Sequence, residues 1–160
     1  MHQTYVLYAE DDENDAFFME RAFSKLGKKG ALRMVSNGQR AVEYMSGAGS
    51  FADRGIFPLP SLLLLDIKMP EMTGLETLAW VRQAREFDCV PVVILTSSTQ
   101  PADLAFCAQN GANGYFVKPS DAEQLSGLIQ RILDVIAPGV GRGGRIGLPE
   151  NKLPESVRTQ

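Results

Sequence analysis

Five short apolar runs recur along the chain, with a stretch of helical spacing after each one. The runs are Tyr5–Ala9, Leu32–Ser36, Ser61–Leu65, Pro91–Leu95 and Gly114–Val117. Short apolar runs bounded by polar residues are typical of strands that are buried on both faces of a parallel sheet. The pattern therefore predicts five parallel strands.

The segments between these runs carry apolar residues at helical spacing. One such stripe ends at Gly27, and its members are Asp15, Phe18, Met19, Ala22, Phe23 and Leu26. A second stripe lies near the other end: Leu125, Leu128, Ile129, Ile132, Leu133 and Ile136. Further helices are expected at about 38–46, from Thr73 and at about 100–110, and the starts at Thr73 and Ser120 have the spacing of capping boxes. The strand–helix alternation predicts an α/β fold with a five-stranded, parallel, doubly wound sheet.

The composition changes at Pro138. The last 23 residues contain five glycines and three prolines and show no apolar period. Such a segment favours a flexible tail over a second domain. We therefore expect one domain at 1–137 and a flexible, Gly/Pro-rich C-terminal tail at 138–160.

Charge and composition exclude several classes of function. The net charge is −3 and no basic face is evident, so we expect no nucleic-acid partner. No apolar segment approaches the length of a membrane span, and no signal peptide precedes the first strand, which favours the cytoplasm. Cys89 and Cys107 form no CxxC pair and are expected to be free thiols.

Reactive polar groups follow four of the five strands. Glu10 and Asp11 come after the first strand, and the third, fourth and fifth are followed by Asp66, Thr96 and Lys118. In parallel sheets, ligands bind beyond the carboxyl ends of the strands. We therefore expect three carboxylates, a hydroxyl and an ammonium group to meet at one edge of the sheet.

These groups suit phosphoryl chemistry on an aspartate. Converging carboxylates repel one another unless a cation lies among them, and Mg²⁺ prefers such oxygen ligands. The Lys118 ammonium and the Thr96 hydroxyl are suited to bind phosphate oxygens. An aspartate such as Asp66 can attack phosphorus and form an acyl phosphate.

The same residues carry a family resemblance. The motifs are Glu10-Asp11, Asp66-Ile67-Lys68-Met69-Pro70-Glu71-Met72-Thr73-Gly74, Thr96-Ser97-Ser98 and Tyr115-Phe116-Val117-Lys118-Pro119. Over Thr4 to Ala137 the chain resembles the CheY-like receiver domain of two-component response regulators. The segment Tyr44 to Ala52 and the long loop after it are similar to the single-domain receivers that partner phytochrome-type histidine kinases.

The resemblance implies a flavodoxin-like (βα)5 receiver fold and a role for each site residue. Asp66 would be the phosphoacceptor, with Thr96 and Lys118 binding the phosphoryl oxygens. The Mg²⁺ ligands would be Asp11 and Asp66 directly, Glu10 through water, and the backbone carbonyl of Lys68. Tyr115 would be the switch aromatic that turns inward, and Lys118–Pro119 would be a cis peptide.

The leading interpretation is a single-domain response regulator that accepts a phosphoryl group from a sensor histidine kinase and signals through protein contacts. It would not be an enzyme beyond its own phosphotransfer and self-dephosphorylation. Phe17 lies off the apolar stripe of the first helix, and we expect it to be exposed and to contact the kinase. We expect Leu104 and Val135 to be exposed apolar residues that support a homodimer through the last two helices and the strand between them.

Two alternatives remain open. One is a receiver fold that serves as a non-phosphorylated scaffold. The other is a phosphatase of the haloacid-dehalogenase type, which uses an aspartate nucleophile with Mg²⁺. That family has a second aspartate two residues after the nucleophile, where this chain has Lys68.

Overall fold

The computed structural model describes residues 3–136 and the single residues 144, 146 and 152. Within them, strands and helices alternate as the apolar pattern predicts. The strands are β1 (Val6–Ala9), β2 (Leu32–Val35), β3 (Leu62–Leu65), β4 (Val92–Thr96) and β5 (Gly114–Val117). The helices are α1 (Glu13–Lys25), α2 (Gly38–Ser46), α3 (Gly74–Gln83), α4 (Pro101–Gln109) and α5 (Ala122–Ile136).

All five strands pair in parallel in the order β2-β1-β3-β4-β5. Side chains of alternate strand residues enter two separate cores. Tyr8 and Phe116 pack with α1 and α5 on one face, whereas Leu7 and Tyr115 pack with α2, α3 and α4 on the other. The doubly wound sheet predicted from the sequence is confirmed. Because all strands run in the same direction, their carboxyl ends meet at one edge.

Side-chain caps fix where the helices near that edge begin. Asp12 accepts a hydrogen bond from the Asp15 N–H and so starts α1 directly after β1. The Thr73–Glu76 capping box at α3 is confirmed. The expected box at Ser120 is wrong, because the carboxylate of Asp121 accepts from the N–H groups of Glu123 and Gln124 and caps α5 instead.

Most of the predicted flexible tail lies outside the described residues. The three described members of 138–160 contact the β5 side of the sheet. Ile146 is buried, and its N–H donates to the Asn113 carbonyl at 3.0 Å. The Asn113 amide donates to the Gly144 carbonyl, and the Lys152 N–H donates to the Tyr115 carbonyl.

Both cysteines are free, as expected, with Cys89 exposed and Cys107 buried. Among the described residues, no helix combines the length and the apolar character needed to cross a membrane.

Gly74 lies where α3 packs directly against the backbone of the site residue Asp66. A Cβ at this position would overlap the backbone carbonyl of Asp66, whereas a Cβ at Gly127 in α5 would meet no atom within 4 Å. We expect Gly74→Ala to lower the free energy of unfolding by about 1–3 kcal/mol, since the backbone must shift to admit the methyl group. The matched variant Gly127→Ala should raise it by up to about 1 kcal/mol. Urea unfolding measures both, and equal effects would contradict the account.

Candidate functional site

Four strand ends deliver polar groups to one edge of the sheet, as the sequence predicts. Glu10 follows β1, Asp66 follows β3, Thr96 ends β4 and Lys118 follows β5. The Lys118 ammonium lies 2.8 Å from a Glu10 carboxylate oxygen and 2.9 Å from one of Asp66. The Lys118 backbone N–H donates to the Thr96 carbonyl at 2.8 Å, so strand pairing fixes the point from which its side chain extends.

The structure adds Asp15, a residue that the sequence did not assign to the site. Its carboxylate lies 2.7 Å from the Lys118 ammonium. Carboxylate oxygens of Glu10, Asp15 and Asp66 lie within 4.8 Å of one another. One signal was present in the sequence: Asp15 is the charged member of an otherwise apolar stripe that faces the sheet.

Glu10 is held at the base of the group. Its carboxylate accepts hydrogen bonds from the buried Tyr8 hydroxyl at 3.0 Å and from the Asp12 N–H at 3.1 Å. Burial is the main effect that raises the pKa of Glu10, to about 7, and the negative charge of Asp66 adds to it. The hydrogen bond from Lys118 acts in the opposite direction but does not outweigh them. Burial and the adjacent Glu10 carboxylate also raise the pKa of Tyr8, so its hydroxyl stays protonated and acts as a donor.

Lys118 is the cation that lets three carboxylates approach one another. Burial alone would lower its pKa, but hydrogen bonds to Asp15, Glu10 and Asp66 outweigh that effect and raise the pKa overall. The ammonium therefore stays charged. Three carboxylates and one ammonium leave the group at −2 when all are ionised, a deficit that a divalent cation would neutralise.

Asp66 is buried, and its second carboxylate oxygen accepts from the Ile67 N–H at 2.7 Å. The loop that follows is tightly folded. Glu71 has φ of 65°, in the left-handed region, and the Met72 N–H donates to the Pro70 carbonyl. Strained backbone of this kind often occurs beside functional groups.

Thr96 and Tyr115 lie on the α4 side of the site. Thr96 is buried, and its hydroxyl accepts a hydrogen bond from the Ser98 N–H at 3.3 Å. Tyr115 points inward and is also buried, with its hydroxyl donating to the Ser98 carbonyl at 2.9 Å. Both side chains therefore contact the same residue of the loop between β4 and α4.

Two of the predicted metal-binding residues are more peripheral. Asp11 and Lys68 are exposed, and Asp11 is not a member of the three-carboxylate group found among the described residues. Their roles remain predictions. The expected cis bond at Lys118–Pro119 is wrong, since no cis peptide occurs in the described chain. The trans form is the lower-energy state of such bonds by about 0.5–1 kcal/mol.

Comparison with known proteins identifies the family to which this group of site residues belongs. The family model for the response regulator receiver domain matches residues 6–130. The chain belongs to this family. Receiver domains are components of two-component signalling and bind Mg²⁺ at an acidic site, which fits the oxygen donors of Glu10, Asp15 and Asp66.

Among curated relatives, the probable methanogenesis regulatory protein FilR2 of Methanothrix harundinacea (strain 6Ac) is 32% identical over 127 residues, which are 79% of each chain. Among solved structures, the response regulator RPA3017 in red light signalling of R. palustris has a TM-score of 0.78 at 28% identity. That match covers 88% of this receiver and 98% of RPA3017. The bacteriophytochrome response regulator RtBRR has a TM-score of 0.69 at 32% identity. That match covers 81% of this receiver and 77% of RtBRR. The predicted likeness to phytochrome response regulators is therefore confirmed.

The raised pKa of Glu10 predicts how stability depends on pH. The folded receiver holds a proton on Glu10 up to about pH 7, whereas glutamate ordinarily titrates at 4.5. Stability from this group is therefore fully present below about pH 4.5 and is lost as pH rises through 7. In metal-free buffer we expect the loss to be on the order of 1–3 kcal/mol.

Glu10→Gln should remove this part of the pH dependence, and Glu20→Gln, at an exposed position of α1, is the matched control. Urea unfolding with a chelator at a series of pH values between 4.5 and 7.5 measures the slope. An unchanged slope in Glu10→Gln would contradict the assignment.

Proposed function

We propose that this receiver accepts a phosphoryl group on Asp66 from a sensor histidine kinase and signals by a conformational switch through protein contacts. One observation carries the proposal: the Asp66 carboxylate lies at a strand end, 2.9 Å from a charged lysine, within a group of acidic oxygen donors. A buried aspartate with only a structural role would not need this surrounding charge.

The chemical step is the transfer of a phosphoryl group from a histidine nitrogen of the kinase to a carboxylate oxygen of Asp66. A carboxylate oxygen of Asp66 attacks the phosphorus atom of a phosphohistidine. The new O–P bond forms as the N–P bond breaks, and the imidazole leaves with the bonding electron pair. Catalysis of such transfers depends on positioning and on neutralising charge on the phosphoryl oxygens. We assign this role to Lys118 and Thr96.

The groups that we propose to hold Mg²⁺ are the carboxylates of Asp11 and Asp66, the backbone carbonyl of Lys68 and, through water, Glu10. When bound, the cation supplies the positive charge that offsets the carboxylates and the incoming phosphoryl group. Asp11 is exposed beside Glu10, so its carboxylate can reorient without leaving a buried partner unpaired.

The switch that we propose runs through Ser98. In this switch the Thr96 side chain rotates to donate to a phosphoryl oxygen, and its bond from the Ser98 N–H breaks. The Tyr115 hydroxyl is bound to the carbonyl of the same residue. Phosphorylation would therefore alter the loop before α4 and the contacts of Tyr115 together.

The kinase is proposed to dock on α1, next to the site. Phe17 is 54% exposed, as the sequence predicts, and the neighbouring Phe18 lines a cleft of about 140 Å³ that also contacts Asp15 and Lys118. The likeness to RPA3017 and RtBRR supports a phytochrome-type kinase as the partner. Such transfer would place the protein in the cytoplasm.

A homodimer through α4, β5 and α5 remains part of the proposal. Leu104 and Val135 are half-buried, each packed against one of the two cores, and so are less exposed than expected. Val117 of β5 is 37% exposed and is the stronger apolar candidate on that face. Light scattering with and without a beryllofluoride mimic measures whether the dimer forms.

The direct test is the intact mass of the protein after incubation with Mg²⁺ and acetyl phosphate. We expect wild type to gain the mass of one phosphoryl group, and Asp66→Asn to gain none. Chelation of Mg²⁺ should abolish the adduct. If wild type takes neither the adduct nor beryllofluoride, the proposal fails and the scaffold alternative stands.

The docking proposal makes a separate prediction for Phe17→Ala. Truncating an aromatic anchor at an interface often costs more than about 1 kcal/mol, so transfer from a phosphorylated phytochrome-type kinase should slow by about fivefold or more. Labelling by acetyl phosphate, which needs no docking surface, should not change. Unimpaired transfer from the kinase would count against the contact.

A further inference from the structure

The Lys118 ammonium has all three of its N–H donors engaged by carboxylates. The distances are 2.7 Å to Asp15, 2.8 Å to Glu10 and 2.9 Å to Asp66. An ammonium group has three donors and no acceptor. A phosphoryl oxygen on Asp66 can therefore gain a hydrogen bond from Lys118 only if one existing partner is released.

The three partners differ in what else holds them. Glu10 also accepts from Tyr8 and from the Asp12 N–H, and Asp66 accepts from the Ile67 N–H. For the Asp15 carboxylate, Lys118 is the one hydrogen-bond partner within the described residues. The Asp15 side chain is 38% exposed, against 1% for Glu10 and 8% for Asp66.

Exposure decides which partner can be released. Releasing Glu10 would leave a buried polar group without its partner, which is unfavourable, whereas Asp15 would return to water. Partly exposed ion pairs contribute little to stability. Asp66 loses its own charge when it forms the acyl phosphate. Of the two carboxylates that keep theirs, Asp15 is therefore the partner that Lys118 can exchange for a phosphoryl oxygen.

We propose that Asp15 is a positioning residue that holds Lys118 in the resting state and competes with the phosphoryl group on Asp66 for the same ammonium. This inference rests on the proposed phosphorylation of Asp66. It gives Asp15 an inhibitory effect on the phosphorylated state, opposite to the effect of Glu10, Lys118 or Thr96.

Two physical effects of removing the Asp15 charge act in the same direction. One N–H of Lys118 becomes available to the phosphoryl group without a competitor. A negative charge within 4.8 Å of the other carboxylates is also removed, which lessens repulsion of the phosphoryl oxygens. Lys118 still has Glu10 and Asp66 as partners, so it stays aimed at the site.

The experiment compares Asp15→Asn with Glu13→Gln, which removes the same charge from an exposed position in the first turn of α1. At saturating Mg²⁺, Asp15→Asn should bind beryllofluoride more tightly than wild type by about two- to fivefold, the range for a partly exposed ion pair. The half-saturating Mg²⁺ concentration should rise at the same time, since the site has lost a negative charge. Glu13→Gln should match wild type in both quantities.

The two affinities should move in opposite directions if Asp15 acts on the site through its charge and its contact with Lys118. A variant that merely loosens the fold would weaken the binding of both Mg²⁺ and beryllofluoride, and that result would overturn the proposal, as would identical behaviour of Asp15→Asn and Glu13→Gln. Asp15→Glu keeps the charge and should restore beryllofluoride binding towards the wild-type value.

A further readout separates this inference from the proposed function. Without phosphorylation or metal, proton exchange of the Lys118 ammonium, followed by NMR, should be faster in Asp15→Asn than in wild type. If the exchange rate of the Lys118 ammonium is unchanged in Asp15→Asn, the role of Asp15 is refuted while the proposed phosphorylation of Asp66 still stands. Failure of wild type to take acetyl phosphate or beryllofluoride defeats the proposed function, and the competition with it.

Discussion

The site depends on one interaction, the contact of the Lys118 ammonium with three carboxylates. Glu10, Asp15 and Asp66 come from three different elements, and without a cation their charges would drive them apart. Lys118 can hold them because the pairing of β4 and β5 fixes its backbone beside Thr96. The cost of gathering negative charge is thus met by one side chain at the end of β5.

The rest of the fold serves this arrangement. The sheet order places β1 next to β3 at its centre, so Glu10 and Asp66 end adjacent strands. Asp12 starts α1 at the point that brings Asp15 over the same edge. Gly74 lets α3 begin against the Asp66 backbone, where no side chain would fit. Each of these local features therefore helps to keep the carboxylates of Glu10, Asp15 and Asp66 close together.

The elements, and the residues at their ends, follow from the sequence because buried parallel strands leave an unmistakable apolar pattern. Glu10, Asp66 and Lys118 could be assigned from the strand ends alone, and the structure brings them together. Asp15 could not be assigned in this way, because it extends from a helix, and its position depends on how α1 packs on the sheet. Similarly, the choice of Asp121 over Ser120 as a cap depends on the path of a loop, and the half-burial of Leu104 and Val135 depends on tertiary packing that periodicity does not resolve.

The central claim is that Lys118 is shared between resting carboxylates and a phosphoryl group on Asp66. A crystal structure of the receiver with Mg²⁺ and beryllofluoride tests it most directly. The account predicts beryllofluoride on Asp66, with the Lys118 ammonium bonded to a fluorine atom and to Glu10 and no longer in contact with Asp15. Beryllofluoride absent from Asp66, or Lys118 still bound to Asp15 and not to the fluoride, would contradict it.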